Sequence, residues 1–260
     1  MNNDADPYRV PGLARGLALL HAFDGSPRGM SMAEIARRLK INRSSVFRLV
    51  YTLEADGYLQ RIDNGSRYRL GARVLDLGFR FLSGLNLLEP ARPVMERLRD
   101  ETGLTAHLSV RDGTDVLYVD RYRPAGSRSS NLKVGARLAA HATSSGQVQL
   151  AALADGQVRS LFHNVRMQAF TDQTPTSIDV LLERLRDIRR QPAVLSCGRF
   201  DARIASCTAP VYGSRGQVLA ALSVSCPLGA VSHSRLEQEI RSHVVTAARA
   251  LSRSISGFSG

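Results

Sequence analysis

The sequence predicts an α+β fold in two parts: a helical first third closed by a two-stranded ribbon, then a longer part of antiparallel strands flanked by helices. Three observations carry this. Apolar residues recur at helical spacing in three separate segments before residue 56. Asn64-Gly65, a strong short-range hairpin signal, separates two β-like runs. Beyond residue 86, strand-like runs turn around Asp112-Gly113 and around Gly213-Ser214-Arg215-Gly216, between amphipathic segments.

The 260 residues suffice for two domains of ordinary size, and the 43% hydrophobic content for a sizeable core. Thirty-five Lys and Arg against 23 Asp and Glu leave a net charge of +12. Such a surplus favours a polyanionic partner, whether DNA, RNA or an anionic membrane, without choosing among them. It is spread along the whole chain, so the binding region has to be located by motif. Cys197, Cys207 and Cys226 are odd in number and lack metal-ligand spacing, which fits a reducing compartment. No apolar run reaches the roughly 18 residues of a membrane span. The opening "MNNDADPYRV" lacks the apolar core of a signal peptide. The expectation is a cytoplasmic protein with no membrane partner.

"PGLARGLALLHAFDG" opens on a proline and places Leu13, Leu17, Leu19, Leu20 and Phe23 at helical spacing; Asp24, Gly25, Ser26 and Pro27 end the pattern. Ser31 with Glu34 three positions on is a capping box, and Met32, Ile35, Ala36 and Leu39 form the inward stripe of a second helix. Lys40, Ile41 and Asn42 connect it to a third, whose buried face is Val46, Leu49, Val50 and Leu53. Arg43, Ser44, Ser45, Phe47 and Arg48 lie early in this helix and partly off that face. The first turns of a recognition helix meet base edges, where hydroxyls and Arg form hydrogen bonds, and the helix terminus favours phosphate.

Gly57 then breaks the helix, and "YLQRIDNGSRYRLG" reads as a hairpin carrying Arg61, Arg67 and Arg69. Helix, helix-turn-helix and basic ribbon, in that order, predict a winged helix-turn-helix over residues 1–70. Its wing would meet the phosphate backbone or the minor groove. A basic helical hairpin with a solvated face is the competing reading. The cap, the short turn, the hydroxyl-rich first turn and the basic ribbon favour DNA because they occur in the right order. In "GARVLDLGFRFL", Val74, Leu75, Leu77, Phe79, Phe81 and Leu82 predict a linker helix over residues 71–85, weakened locally at Gly78. A dimer contact is expected there, since helix-turn-helix proteins usually read two half-sites as dimers.

Residues 86–260 predict a second domain. A helix over Pro90 to Glu101 precedes the hairpin "TAHLSVRDGTDVLYVDRY" and a Ser/Arg-rich loop at 125–130. "NLKVGARLAAHATSSGQVQLAALADG" then runs from strand through a glycine turn to helix. An amphipathic helix follows at 179–190, two strands lie in "ASCTAPVYGSRGQVLAALSVSCPLG", and a last helix spans about Arg235 to Ser254.

The histidines are scattered, with no HExxH pair, no GxSxG elbow and no phosphate or dinucleotide loop. The expectation is no enzyme, no metal site and no cofactor. His141 with Thr143, Ser144 and Ser145 reads as a polar rim or helix start rather than a nucleophile cluster. Residues 141 to 146 offer hydroxyls and backbone N–H groups at a predicted helix start, which suits a carboxylate. Ser223 and Ser225 share one face of a strand, where they either satisfy structural hydrogen bonds or line a cavity.

Five segments in order, "LARGLALLHAF", "SMAEIARRLKINRSSVFRLVYTLEADGYLQR", "YRLGARVLDLG", "VGARLAAHATSSGQ" and "APVYGSRGQVLAALSVSCP", resemble the IclR-type transcriptional regulators from about Leu13 to Leu251. The resemblance implies a winged helix-turn-helix, a linker helix and a GAF-like effector-binding domain. It also implies homodimers or homotetramers that regulate transcription from a double-stranded DNA operator. "GLARGLALLHAF" and "NLKVGARLAAHATSSGQ" look most like the branch that controls aromatic-acid breakdown through the β-ketoadipate route, which implies a small organic or aromatic acid effector. Carried over by position, the DNA-facing set is Ser31, Asn42, Arg43, Ser44, Ser45, Phe47 and Arg48, with Arg67 and Arg69 in the wing. The effector-facing set is Ala142, Thr143, Ser144, Ser145, Gly146, Ser206, Ser223 and Ser225, which favours the cavity role for the two strand serines.

This chain departs from the family pattern in several places. Gln191 and Pro192 replace a Gly–aromatic pair, Gln147 stands where many relatives have Lys, and Ser196 and Cys197 stand where acidic residues are common. The expected result is a less negative pocket, suited to an anion. A small-molecule sensor or enzyme whose helical hairpin does not bind DNA is the alternative function, and a non-specific architectural DNA binder is a third.

Overall fold

The computed structural model of the protein describes residues 8–23, 26, 28–126 and 132–257. Most of the expected end of the first helix (Asp24, Gly25 and Pro27) and most of the Ser/Arg-rich loop lie outside these residues. The chain divides into two compact units, Met1–Gly84 and Leu85–Gly260.

In the first unit, α1 (Pro11–His21), α2 (Met32–Leu39) and α3 (Arg43–Ala55) precede the antiparallel ribbon of β1 (Leu59–Ile62) and β2 (Arg67–Leu70), and α4 (Arg73–Gly84) follows. Helix boundaries follow local chemistry. The Ser31 hydroxyl accepts from the Glu34 amide at 3.3 Å while the Glu34 carboxylate accepts from the Ser31 amide at 2.7 Å, completing the capping box. Lys40 closes α2 in the left-handed region at φ 56°. Gly57 supplies a φ of +74° after α3, a conformation that costs glycine little. Leu19, Phe23, Met30, Ile35, Val46, Val50, Leu59 and Tyr68 form the core.

The expected stripe of α1 is only partly inward. Leu19 and Phe23 are buried, but Leu13 is 63% exposed and Leu17 is also exposed. Helix α4 buries none of its side chains, and Leu75 is 72% exposed. Leu13, Leu17, Leu20, Leu49, Leu53 and Leu77 instead line an open apolar groove of about 650 Å³.

The second unit is built on a six-stranded antiparallel sheet ordered β5-β4-β3-β8-β7-β6. Its strands are β3 (Thr105–Asp112), β4 (Asp115–Tyr122), β5 (Arg137–Ala139), β6 (Val194–Cys197), β7 (Ile204–Tyr212) and β8 (Val218–Pro227). Helix α5 (Leu88–Thr102) packs with the C-terminal helix on one face. Helices α6 (Ser144–Leu150), α7 (Asp155–Leu161) and α8 (Ile178–Arg189) gather with the other face around Leu150, Leu181, Leu182 and Leu185. The C-terminal helix starts earlier than expected, with α9 (His233–Arg235), passes through a π turn at Leu236–Ile240, and continues as α10 (Arg241–Gly257). Short α7 and β6 are further elements of this domain that periodicity did not single out.

Candidate DNA interface and effector pocket

The candidate DNA surface begins at the start of α3. Asn42 caps the helix: its side-chain carbonyl accepts from the Ser45 amide at 2.8 Å and from the Ser44 hydroxyl at 2.9 Å. Val46 and Val50 point into the core, which leaves Arg43, Ser44, Phe47 and Arg48 exposed and Ser45 half-buried. Among the described residues, no carboxylate forms an ion pair with Arg43 or Arg48. Sequence reasoning passed over Tyr51, which stands one turn beyond Phe47 and is also exposed. Its signal was the i, i+4 spacing of two aromatics off the buried stripe.

The wing arginines are engaged within the chain. Arg67 donates to the Gly29 carbonyl at 2.8 Å and pairs with Glu34 at 3.0 Å, bracing the ribbon against α2. Hydrogen bonds from Ser31, then the charge of Arg67, hold the Glu34 carboxyl below its usual range. Arg69 donates to the Gln60 side chain at 2.9 Å, and Arg61 forms a two-point pair with Glu54. The Ser31 hydroxyl donates to the Glu34 carboxylate at 2.9 Å, so both of its hydrogen-bonding roles serve the cap.

The candidate effector site lies where α6 meets the sheet. Thr143 caps α6, its hydroxyl accepting from the Gly146 amide at 3.1 Å. Gly146 passes so close to the preceding loop that an added Cβ would sit 2.3 Å from the Ala140 Cα and carbonyl oxygen, and only glycine fits. That approach places the Ser144 hydroxyl 3.1 Å from that of Ser206 and 2.9 Å from that of Thr208. Ser145 hydrogen-bonds to the Tyr118 phenol, whose acidity burial suppresses. Ala142 lies buried beside them.

Strand register extends these contacts into two polar rows on one sheet face. The first runs Ser196, Ser206, Ser225, Thr105, and the second Thr208, Ser223, His107, Arg121. The His107 ring sits 2.9 Å from the Ser225 hydroxyl. Burial, reinforced by the nearby Arg121 charge, lowers its pKa to about 3, so it is neutral near pH 7. Neither row contains a carboxylate. Thr105 and Ser225 also border a surface depression of about 490 Å³.

The structure thus brings Ser144, Ser206, Ser223 and Ser225 together from three elements. It adds Ser196, Thr208 and His107, which the sequence reading left out of the site. Thr208 and His107 signal themselves only by alternate position on strands whose partners are not legible from one chain, whereas Ser196 also stands where relatives commonly carry an acid. His141 is elsewhere: its ring nitrogen meets the Gln168 carbonyl at 3.0 Å, and its edge packs on Phe162. Asp201 pairs with Arg203 at 2.9 Å in the loop after β6, off the two rows. Among the described residues, no three His, Cys, Asp or Glu side chains are grouped to hold a metal ion. No helix among them is long and apolar enough to cross a membrane.

A winged helix-turn-helix together with an α/β domain that carries two polar rows beneath a short helix fits a sequence-specific DNA-binding transcription regulator. The chain belongs to the IclR family: residues 12–63 match the IclR helix-turn-helix domain and residues 79–253 the bacterial transcriptional regulator IclR C-terminal domain. Members of this family are transcription factors rather than enzymes. The Pca regulon regulatory protein of Pseudomonas putida is 34% identical over 253 residues, covering 97% of this chain and 86% of that protein. The structure of an IclR homologue from Microbacterium hydrocarbonoxydans, complexed with 4-hydroxybenzoate, matches with a TM-score of 0.81 at 26% identity, covering 95% of this chain and 99% of that one. The E. coli transcriptional repressor IclR is 26% identical over 252 residues, covering 96% of this chain and 92% of the relative.

Proposed function

We propose that this regulator controls an operon for aromatic or organic acid catabolism and that a small carboxylic acid is its effector. The observation that carries this reading is the pair of polar rows beneath α6: buried, rich in hydroxyls and free of carboxylates, a setting suited to an anion. The relationship to a Pca regulon regulator and to a homologue that binds 4-hydroxybenzoate supports an aromatic acid. Ala142, Thr143, Ser144, Ser145, Gly146, Ser206, Ser223 and Ser225 line the site in this reading, with Ser196, Thr208 and His107 added.

Residues 1–70 hold the operator, 71–85 link, and 86–260 sense the acid. Asn42, Arg43, Ser44, Ser45, Phe47 and Arg48 meet the major groove, and Arg69 lies toward the backbone. Ser31 and Arg67 contribute by fixing the cap and the wing. A homodimer or homotetramer is supported by the exposed apolar side chains of α1 and α4, which a second copy would cover.

The test is binding of the purified protein to its own upstream intergenic DNA against a scrambled duplex, at fixed salt, with and without 4-hydroxybenzoate and related acids. Salt is fixed because phosphate contacts make affinity steeply salt-dependent. A specificity ratio that an acid changes is expected. Equal binding to both duplexes, unmoved by any acid, refutes the reading.

A further inference from the structure

Phe47 and Tyr51 stand one turn apart on the outer face of α3 with both rings in solvent, 56% and 65% exposed. The ring centroids are 6.3 Å apart and the planes 23° from parallel, so the two form one apolar ridge. The core of this unit takes Val46 and Val50 from the same helix and leaves the ridge outside. Arg43 lies one turn before Phe47 and Arg48 adjoins it, so the ridge is flanked by two cations without carboxylate partners among the described residues. An ordinary apolar protein surface would leave both cations uncompensated. Duplex DNA offers phosphates to the cations and, in its major groove, one apolar feature on the base edges: the thymine C5-methyl group.

We propose that Phe47 and Tyr51 read thymine methyl groups in the major groove, setting operator preference beside the hydrogen bonds of Arg43 and the serines. This rests on the reading of α3 as the recognition helix. The ring separation approaches two base-pair rises of about 3.4 Å each, so the thymines lie within two base steps of one another.

Deoxyuridine tests this directly, because it lacks the methyl and keeps the hydrogen-bonding edge and the phosphate. Once footprinting defines a half-site, each thymine is replaced singly and affinity is measured at fixed salt. Wild type is expected to lose about fourfold at one or two positions, the worth of burying one methyl-sized group. That loss disappears in Phe47→Ala or Tyr51→Ala, and Phe47→Leu, which keeps an apolar side chain, retains part of it.

The aromatic variants keep the salt slope of wild type, whereas Arg48→Ala flattens it by about 1. No sensitive thymine, or the same deoxyuridine loss in wild type and variants, overturns the proposal while the specific footprint stands. A Phe47→Ala protein with altered oligomeric state also overturns it, because a second copy would then be what covers the ridge. A wild type without any specific footprint refutes the recognition-helix reading itself, and this proposal with it.

Discussion

The Ser144 hydroxyl at the start of α6 lies 2.9 Å from the Thr208 hydroxyl on β7, across 64 positions of sequence. This contact and its neighbour to Ser206 tie a short helix to the next-to-last strand of the sheet through side-chain hydrogen bonds. A molecule entering beneath α6 therefore meets three hydroxyls, those of Ser144, Ser206 and Thr208, that already have partners.

Ser223→Ala is expected to change the response to the acid and to leave operator binding by the free protein intact. Ser223 lies between Thr208 and His107 in the second polar row and takes no part in the first unit. Acid titrations of the protein–operator complex check this, and a dose response equal to wild type removes Ser223 from the pocket.

Ser31→Ala is expected to cost about 1 kcal/mol, the usual worth of an N-cap hydroxyl. The salt slope of operator binding is expected to stay unchanged, because this hydroxyl serves Glu34 rather than a phosphate. Denaturant unfolding gives the first quantity and a salt titration the second. A shallower slope would return Ser31 to the DNA surface.

Gly146→Ala forces a Cβ against backbone, where no flexible side chain can yield. Overpacking of this kind costs about 1–3 kcal/mol. Unfolding of the purified variant is expected to show at least that loss, together with a weakened acid response as α6 shifts from the sheet. Wild-type stability would mean that the loop at Ala140 relaxes freely.

His107 gives the second unit a pH dependence. Burial holds its pKa near 3 in the fold, while the unfolded chain has the ordinary value near 6.5. Below about 6.5 the unfolded state binds the extra proton, so stability is full above that pH and falls by about 1.4 kcal/mol per unit toward pH 3. Stability curves of wild type and His107→Gln at several pH values measure the difference. Parallel curves would refute it.

Most of the fold was legible because its elements announce themselves locally. The Ser31–Glu34 capping box, Gly57, and the turns at Asn64-Gly65 and Asp112-Gly113 fix ends and reversals without long-range help. Elements α7 and β6 were not: seven and four residues are too few to display a period, and no Asn-Gly turn flanks them as one does the equally short β1 and β2. Leu13 and Leu17 have the spacing of a buried stripe, yet spacing defines a face and not what covers it.

The site divides in the same way. Ser223 and Ser225 declare a shared strand face, but their alignment with Thr208, Ser206 and His107 depends on pairing register. The wing arginines show charge in the sequence and conceal that Glu34, Gln60 and Glu54 occupy them.

The Ser144, Ser206 and Thr208 hydroxyls beneath α6 already satisfy one another, so a guest that binds them makes an exchange rather than an addition. Each hydrogen bond a guest makes to these groups replaces one lost between Ser144 and Thr208 or between His107 Nε2 and Ser225, with little net gain. A guest with too few oxygens leaves a buried donor bare, at a cost of about 1–3 kcal/mol for each. Selectivity then comes from counting: a molecule is admitted when its acceptors match the donors it displaces, and its apolar part supplies the affinity.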